Sequence, residues 1–238
     1  MLWKKSWSPK AVLLLLGGIT MSLFFGSIAS EFLRRAQVAG FKTPESSGSV
    51  LAATLCLHGA ILVLGTFFLK SQNESWRDAL GWRDPKLQRH LLLAFVVLLV
   101  ALPVMLGLKF LSEICLREIG WPVADQRAVE MFTNIHSLGL RVYLGFFAVV
   151  IAPVAEEFLF RGVLFSAAKK IGWPKSGLIL TSLLFAFIHN SAPIFVPLFM
   201  FALALTWLYQ KTEGLAAPIV AHSLFNATNL GLLVLQNS

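Results

Sequence analysis

The chain of 238 residues is strongly apolar, with 57% hydrophobic and only 13% charged residues and a mean hydropathy of +0.74. Soluble domains carry about a quarter charged residues. A water-soluble globule of this length cannot bury so much apolar surface, so the composition favours a bilayer as solvent. The net charge of +8 does not indicate a nucleic-acid partner, because the basic residues lie in short connections between apolar stretches, as in loops facing anionic lipid.

Apolar stretches of spanning length recur along the chain. A spanning helix needs about 20 apolar residues, and each span must be helical because lipid offers backbone groups no hydrogen-bond partner. We therefore predict an all-α fold, a polytopic transmembrane bundle of about seven spans with interfacial helices. In chain order the candidates are Ala11–Ser30, Ser49–Leu69, Leu91–Leu108, Val142–Ala168, Ser176–Asn190, Ala192–Gln210 and Leu215–Gln236.

The first stretch and the loop charges predict the orientation. Lys4, Lys5 and Lys10 precede an apolar run that is longer than a usual signal-peptide core, so we favour an uncleaved first helix over a cleaved signal. When the N-terminus is placed inside, Lys and Arg are more numerous in the inside segments than in the outside loops, as the positive-inside rule requires. We expect an integral, multi-pass protein of the cell membrane with a cytoplasmic N-terminus.

Two linkers and two cysteines have less specific interpretations. Lys70–His90 mixes basic residues with tryptophans and is typical of an interfacial segment. Lys109–Arg141, the longest connection, is interpreted as an amphipathic surface helix in preference to a substrate-gating lid. Cys56 and Cys115 have no spacing typical of a disulfide framework or a metal site.

Ionisable residues inside the last four spans are the strongest functional signal. Each such charge costs roughly 2.5–3.5 kcal/mol on insertion scales and is a functional hypothesis by default. Glu157 and Arg161 are four residues apart and can pair on one helix face. The full candidate set is Glu156, Glu157, Arg161, His189, His222 and Asn226.

Helix geometry places three of these residues at one depth. At about 1.5 Å per residue, Glu156, His189 and Asn226 each lie roughly 20 Å from the charged residues that mark the inside interface. A polar layer assembled from three separate helices predicts a site. His58 has no partner at a matching spacing and is interpreted as a structural hydrogen-bonding residue, whereas Asn229 stays open between the two roles.

The set permits amide hydrolysis. A carboxylate beside an imidazole can hold and deprotonate a water molecule, and His222 and Asn226 carry donors that could face a developing oxyanion. The sequence contains neither GxSxG nor HExxH, so an activated serine and a zincin are disfavoured. Zinc bound by Glu156, His189 and His222 stays chemically open.

Three motifs resemble those of the CPBP family of intramembrane proteases, which includes CAAX prenyl proteases and bacteriocin-processing proteins. Glu156-Glu157-x-x-x-Arg161 matches EExxxR, Phe185-x-x-x-His189 matches FxxxH, and His222-x-x-x-Asn226 matches HxxxN, in family order. The resemblance implies that Glu156 activates water with help from His189, and that His222 and Asn226 bind the oxyanion. It also implies N-terminal transmembrane helices and loops over residues 1–141 and a catalytic helical core over residues 142–238.

These observations predict an intramembrane endopeptidase of the glutamate type, for which we expect no cofactor and do not favour zinc. Its expected partners are a membrane-associated peptide or protein substrate and the lipid bilayer, with no nucleic acid. A prenylated CAAX tail, a bacteriocin leader and a membrane-protein segment stay open as substrates. A non-catalytic membrane scaffold or regulator and a proton-coupled transporter are the alternatives; the absence of paired repeats disfavours the transporter.

Overall fold

The computed structural model describes residues 7–43, 46–123, 129, 132–133, 135 and 137–236. Every regular element over these residues is helical, which confirms the predicted all-α class. The helices are α1 (Pro9–Arg35), α2 (Ser47–Ser71), α3 (Trp76–Leu80), α4 (Leu87–Glu118), α5 (Leu138–Lys170), α6 (Pro174–Ile188), α7 (Ala192–Thr212) and α8 (Ala216–Gln236).

Six of these helices are long and apolar enough to cross a membrane, namely α1, α2, α4, α5, α7 and α8. The fifth predicted span corresponds to α6, which has only 15 residues. Pro174 begins α6, and Asn190 adopts a positive φ of 48° just after its end. The polypeptide then enters α7 at Ala192, so α6 and α7 are joined by a very short turn.

Helix α4 corrects the predicted start of the long linker. The helix has 32 residues and ends at Glu118, ten residues beyond the expected end of the span at Leu108. Its extension carries an ion pair between Lys109 and Glu113 at 3.6 Å, and Gly120, with a φ of 68°, follows its end. The expected surface helix therefore does not begin at Lys109, and residues 124–128, 130–131, 134 and 136 of that linker lie outside the described part of the chain.

The described chain forms two compact units, of which the first comprises Trp7–Trp76. Within it, α1 approaches α2 through small residues spaced four apart, Gly18, Ser22 and Gly26, as in small-xxx-small membrane packing. A Cβ atom on Gly18 would lie 2.8 Å from Leu64 Cδ1. His58 Nδ1 lies 3.3 Å from Thr54 O, one turn earlier in the same helix.

The second unit begins at Arg77 and contains α4 to α8. Its apolar core joins α4, α7 and α8 and combines alanines of α4 and α8 with larger side chains of α7, and small residues of this kind let helices approach closely. The buried members are Ala94, Ala101, Met105, Phe201, Leu205, Leu208, Ala217 and Ala221. Helix α7 also packs against α6, so α7 is shared between the apolar core and the polar face described below.

Helix α5 is irregular in a way that the sequence pattern did not predict. An α-helical segment, Ala152–Glu157, lies between two π-helical segments, Phe147–Ile151 and Phe158–Phe165. Pro153 stands at the start of the α-helical segment. π-Helical turns are rare and are frequently found at functional sites, and here they flank both glutamates of the EExxxR motif.

Candidate active site

Glu157 is the centre of the buried polar cluster. Its Oε1 atom accepts a hydrogen bond from Arg161 Nη1 at 2.8 Å and lies 2.9 Å from His222 Nδ1. The exposed fractions are 0% for Glu157, 1% for Arg161 and 4% for His222. An ionised carboxylate only accepts hydrogen bonds, so His222 carries a hydrogen on Nδ1 when it bonds to Glu157.

Arg161 is held on three sides. Its Nε atom donates to Thr206 Oγ1 at 3.2 Å, and Nη2 donates to Ala202 O at 2.9 Å. The Phe185 ring lies beneath the guanidinium, 4.9 Å from its central carbon, within cation–π distance. Contacts with α6 and α7 thus fix the guanidinium, which in turn orients the Glu157 carboxylate.

Glu156 faces a different direction from its neighbour, as expected for consecutive helical residues about 100° apart. Its Oε2 atom lies 3.9 Å from His222 Nε2, and its side chain is 13% exposed whereas that of Glu157 is fully buried. The His222 ring therefore stands between the two carboxylates and presents one nitrogen to each. Glu156 is the more accessible of the two acids.

His189 lies at the C-terminal end of α6, beside the aromatic part of the cluster. Its Nδ1 atom is 2.6 Å from Phe185 O, one turn earlier, and its ring centroid is 4.8 Å from that of Phe185. The Phe185 ring is also 5.7 Å from the His222 ring. The Phe185 ring therefore lies next to both histidine rings.

Asn226 follows His222 by one turn on α8 and contacts α5. Its Nδ2 atom donates to Ala148 O at 2.8 Å, in the π-helical segment that precedes the glutamates. Asn229, which the sequence left open, donates to Phe225 O within α8 at 2.9 Å.

The structure therefore joins Glu156, Glu157, Arg161 and His222 in one cluster, with His189 reached through Phe185 and Asn226 reaching the backbone of α5. The sequence analysis missed the part played by α7. Thr206 and Ala202 secure Arg161, and Tyr209 Oη lies 3.0 Å from Ser166 Oγ in a buried pair one turn away. Thr206 and Tyr209 are polar residues in an otherwise apolar span, and this pattern could have indicated that α7 contributes to the polar cluster.

The donor atoms of the cluster also bear on metal binding. Within the part of the chain that the structure describes, no group of three His, Cys, Asp or Glu side chains is arranged to hold a metal ion. The close contacts instead pair carboxylates with Arg161 and His222.

One comparison with known proteins finds a match over the part of the chain that carries this site. Residues 138–228 match a protein-family model, and this part of the chain is therefore similar to the CPBP/CAAX family of membrane proteases. The particular model is described as Rce1-like, type II CAAX prenyl endopeptidase Rce1-like. The match covers all six candidate residues and indicates a protease of the intramembrane CAAX type in general, within an integral, multi-pass membrane protein. No curated protein and no solved structure matches the chain.

Proposed function

We propose that this protein hydrolyses a peptide bond of a membrane-associated substrate, and that the substrate is a prenylated peptide or protein tail. The observation that carries the proposal is the position of His222 between two glutamates of unequal burial inside a segment that matches the CAAX endopeptidase model. The accessible acid, Glu156, is suited to proton transfer, whereas the buried acid, Glu157, is suited to orientation.

In the proposed reaction, Glu156 accepts a proton from a water molecule, and His189 helps to hold that water. The water oxygen then attacks the carbonyl carbon of the scissile bond. The carbonyl oxygen becomes an oxyanion that accepts hydrogen bonds from His222 and Asn226. When the carbon–nitrogen bond breaks, Glu156 returns its proton to the leaving amine, so that the enzyme is regenerated without a metal ion.

The structural partners support distinct roles for the six residues. With Nδ1 directed at Glu157, the His222 ring has only Nε2 available for the substrate side, and an imidazolium would donate from both nitrogens. Asn226 has two amide hydrogens, of which one is used on Ala148 O and the other is available for the oxyanion. Glu157 and Arg161 orient His222 and do not react.

Water must reach the proposed site. We place the turn between α6 and α7 at membrane depth, because α6 is too short to cross a bilayer alone. Non-helical backbone at that depth is tolerated where it is buried in protein or lines a water-filled cavity. His189 belongs to this turn, so a cavity there would deliver water directly to the imidazole.

The test uses the full chain reconstituted in lipid vesicles, with a farnesylated peptide that ends in a CAAX sequence and mass spectrometry of the products. We expect cleavage by the native protein, none by Glu156→Gln or His189→Ala, and native turnover by His58→Ala, whose side chain bonds within its own helix. Native turnover by Glu156→Gln would disprove the assignment. If the peptide is not cut, a comparison of membrane peptides from cells that carry native protein or Glu156→Ala identifies another substrate, and no difference between them favours a non-catalytic scaffold.

A further inference from the structure

The carbonyl of Ala148 has an unusual donor. In an α-helix the N–H of residue 152 would bond to it, and in a π-helix the N–H of residue 153 would do so. The Ala152 N–H instead donates to Phe147 O, five residues back, and Pro153 has no N–H. The donor that the structure directs at Ala148 O is the side-chain amide of Asn226, at 2.8 Å.

A carbonyl in an apolar bundle is costly to leave without a donor. A side-chain donor also bonds to a carbonyl in two other π-helical segments that the structure describes. Ser22 Oγ donates to Cys56 O at 2.8 Å, within Leu55–Gly59, and Ser166 Oγ donates to Arg161 O at 2.9 Å, within Phe158–Phe165. A side-chain donor on a π-segment carbonyl is therefore a repeated feature of this chain.

The position of the segment gives the bond at Ala148 a further consequence. Phe147–Ile151 directly precedes the segment that carries Glu156 and Glu157. Each residue contributes about 100° of rotation in an α-helix, so a change from π to α geometry in this segment would rotate both glutamates relative to His222. The bond from Asn226 joins α8, which carries His222, to the segment of α5 that sets this rotation.

We infer that Asn226 is a positioning residue: its amide replaces the backbone donor that Pro153 removes from Ala148 O, and thereby holds both glutamates in register with His222. The role is additional to the oxyanion contact in the proposed function, and only its kinetic consequence rests on that proposal. The register then depends on two residues that act at one backbone carbonyl, Ala148 O: Pro153, which lacks an N–H, and Asn226, which donates to it.

Pro153→Ala gives a direct test, because alanine at this position restores an N–H that can serve Ala148 O. We expect Asn226→Ala to lower the Tm of the full chain in detergent by about 3–10 °C in the native background, and by less than half as much in the Pro153→Ala background. Ser22→Ala, which removes the hydroxyl donor to Cys56 O in the other compact unit, is the matched control. It should lower the Tm equally in both backgrounds.

Turnover provides the second measurement. We expect Asn226→Ala to reduce kcat by about tenfold to a hundredfold with little change in KM, and the double variant to recover about tenfold. Equal Tm losses from Asn226→Ala in both backgrounds would overturn the inference, as would failure of the single and double variants alike to fold. Folding of the double variant alone would support it.

Recovery of Tm without recovery of kcat would overturn the positioning role and leave Asn226 acting on the substrate only. Asn226→Asp provides a second check, because the carboxylate has the same shape but no N–H to donate. Asn226→Asp should lower the Tm as Asn226→Ala does, and Pro153→Ala should reduce this loss of Tm as well. If the native protein shows no turnover, the proposed function fails while the Tm comparison still decides the inference.

Discussion

Glu157 and His222 are bonded across 65 residues of sequence, with 2.9 Å between Oε1 and Nδ1. The same oxygen also accepts a hydrogen bond from Arg161, so one carboxylate oxygen holds both the guanidinium and the imidazole in place. This arrangement commits Nδ1 of the ring and directs Nε2 toward Glu156. The two glutamates of one motif are therefore expected to respond very differently to substitution.

The first prediction compares the two glutamates directly. Glu157→Gln should lower the free energy of unfolding by about 3–5 kcal/mol, because it leaves the buried Arg161 without its counter-charge. Glu156→Gln should abolish turnover while changing stability by less than about 1 kcal/mol, since the Glu156 side chain is 13% exposed whereas that of Glu157 is fully buried. Thermal unfolding and peptide cleavage measure both. Equal destabilisation by the two changes would contradict the division of roles.

The second prediction concerns Arg161. Arg161→Ala should lower stability and activity together, because it strands Glu157 in a buried site. Arg161→Lys should recover only part of the stability, since a lysine cannot reproduce the forked contacts with Thr206 and Ala202 O. If Arg161→Ala is inactive yet as thermostable as the native protein in detergent, the arginine acts directly on the substrate.

The third prediction concerns Thr206, which the sequence pattern did not single out. Thr206→Val should cost about 1–3 kcal/mol, because Arg161 Nε then loses its acceptor inside the protein. Thr181→Val is the matched control, because Thr181 and Thr206 each donate a hydrogen bond to the carbonyl four residues earlier. This substitution should cost only about 0.5 kcal/mol. Unfolding measured under identical detergent conditions compares them, and similar losses would show that Thr206 does not secure Arg161.

The fourth prediction concerns metal dependence. We expect peptide cleavage to survive EDTA and phenanthroline, because Glu156 and an imidazole can activate water without a metal ion. The measurement is turnover after chelation, removal of the chelator and re-addition of individual metals. Loss of activity that zinc alone restores would favour the metal-dependent mechanism over the glutamate mechanism.

The fifth prediction tests the proximity of the three helices. In a chain with Cys56→Ser and Cys115→Ser, the pair Glu156→Cys with His189→Cys should cross-link, and so should Glu156→Cys with Asn226→Cys. Glu156→Cys with Leu224→Cys is the control, since Leu224 is exposed and lies on the opposite face of α8 from Asn226. Cross-linking of the control pair alone would contradict the site.

The sequence predicted the helical class and the Glu157–Arg161 contact, because hydrophobic span length and four-residue spacing depend only on helix geometry. It could not predict that Glu157 also contacts His222, since this bond requires the packing of α5 against α8. The π-helical segments were likewise missed, because they leave no periodic hydrophobic signal. The overlong α4 was missed because Lys109 was interpreted as an end of the span, whereas it pairs with Glu113 on a continuing helix.

The short length of α6 has a consequence for how the protein enters its membrane. A 15-residue apolar helix falls below the length of about 20 residues that inserts as an independent span. Only a short turn separates it from α7, which has 21 residues. We therefore expect the two helices to partition into lipid together as a hairpin, so that His189 reaches its position only after the ribosome has synthesised α7. Assembly of the polar cluster is consequently a late event in the biogenesis of the chain, when most of its hydrophobic segments are already inserted.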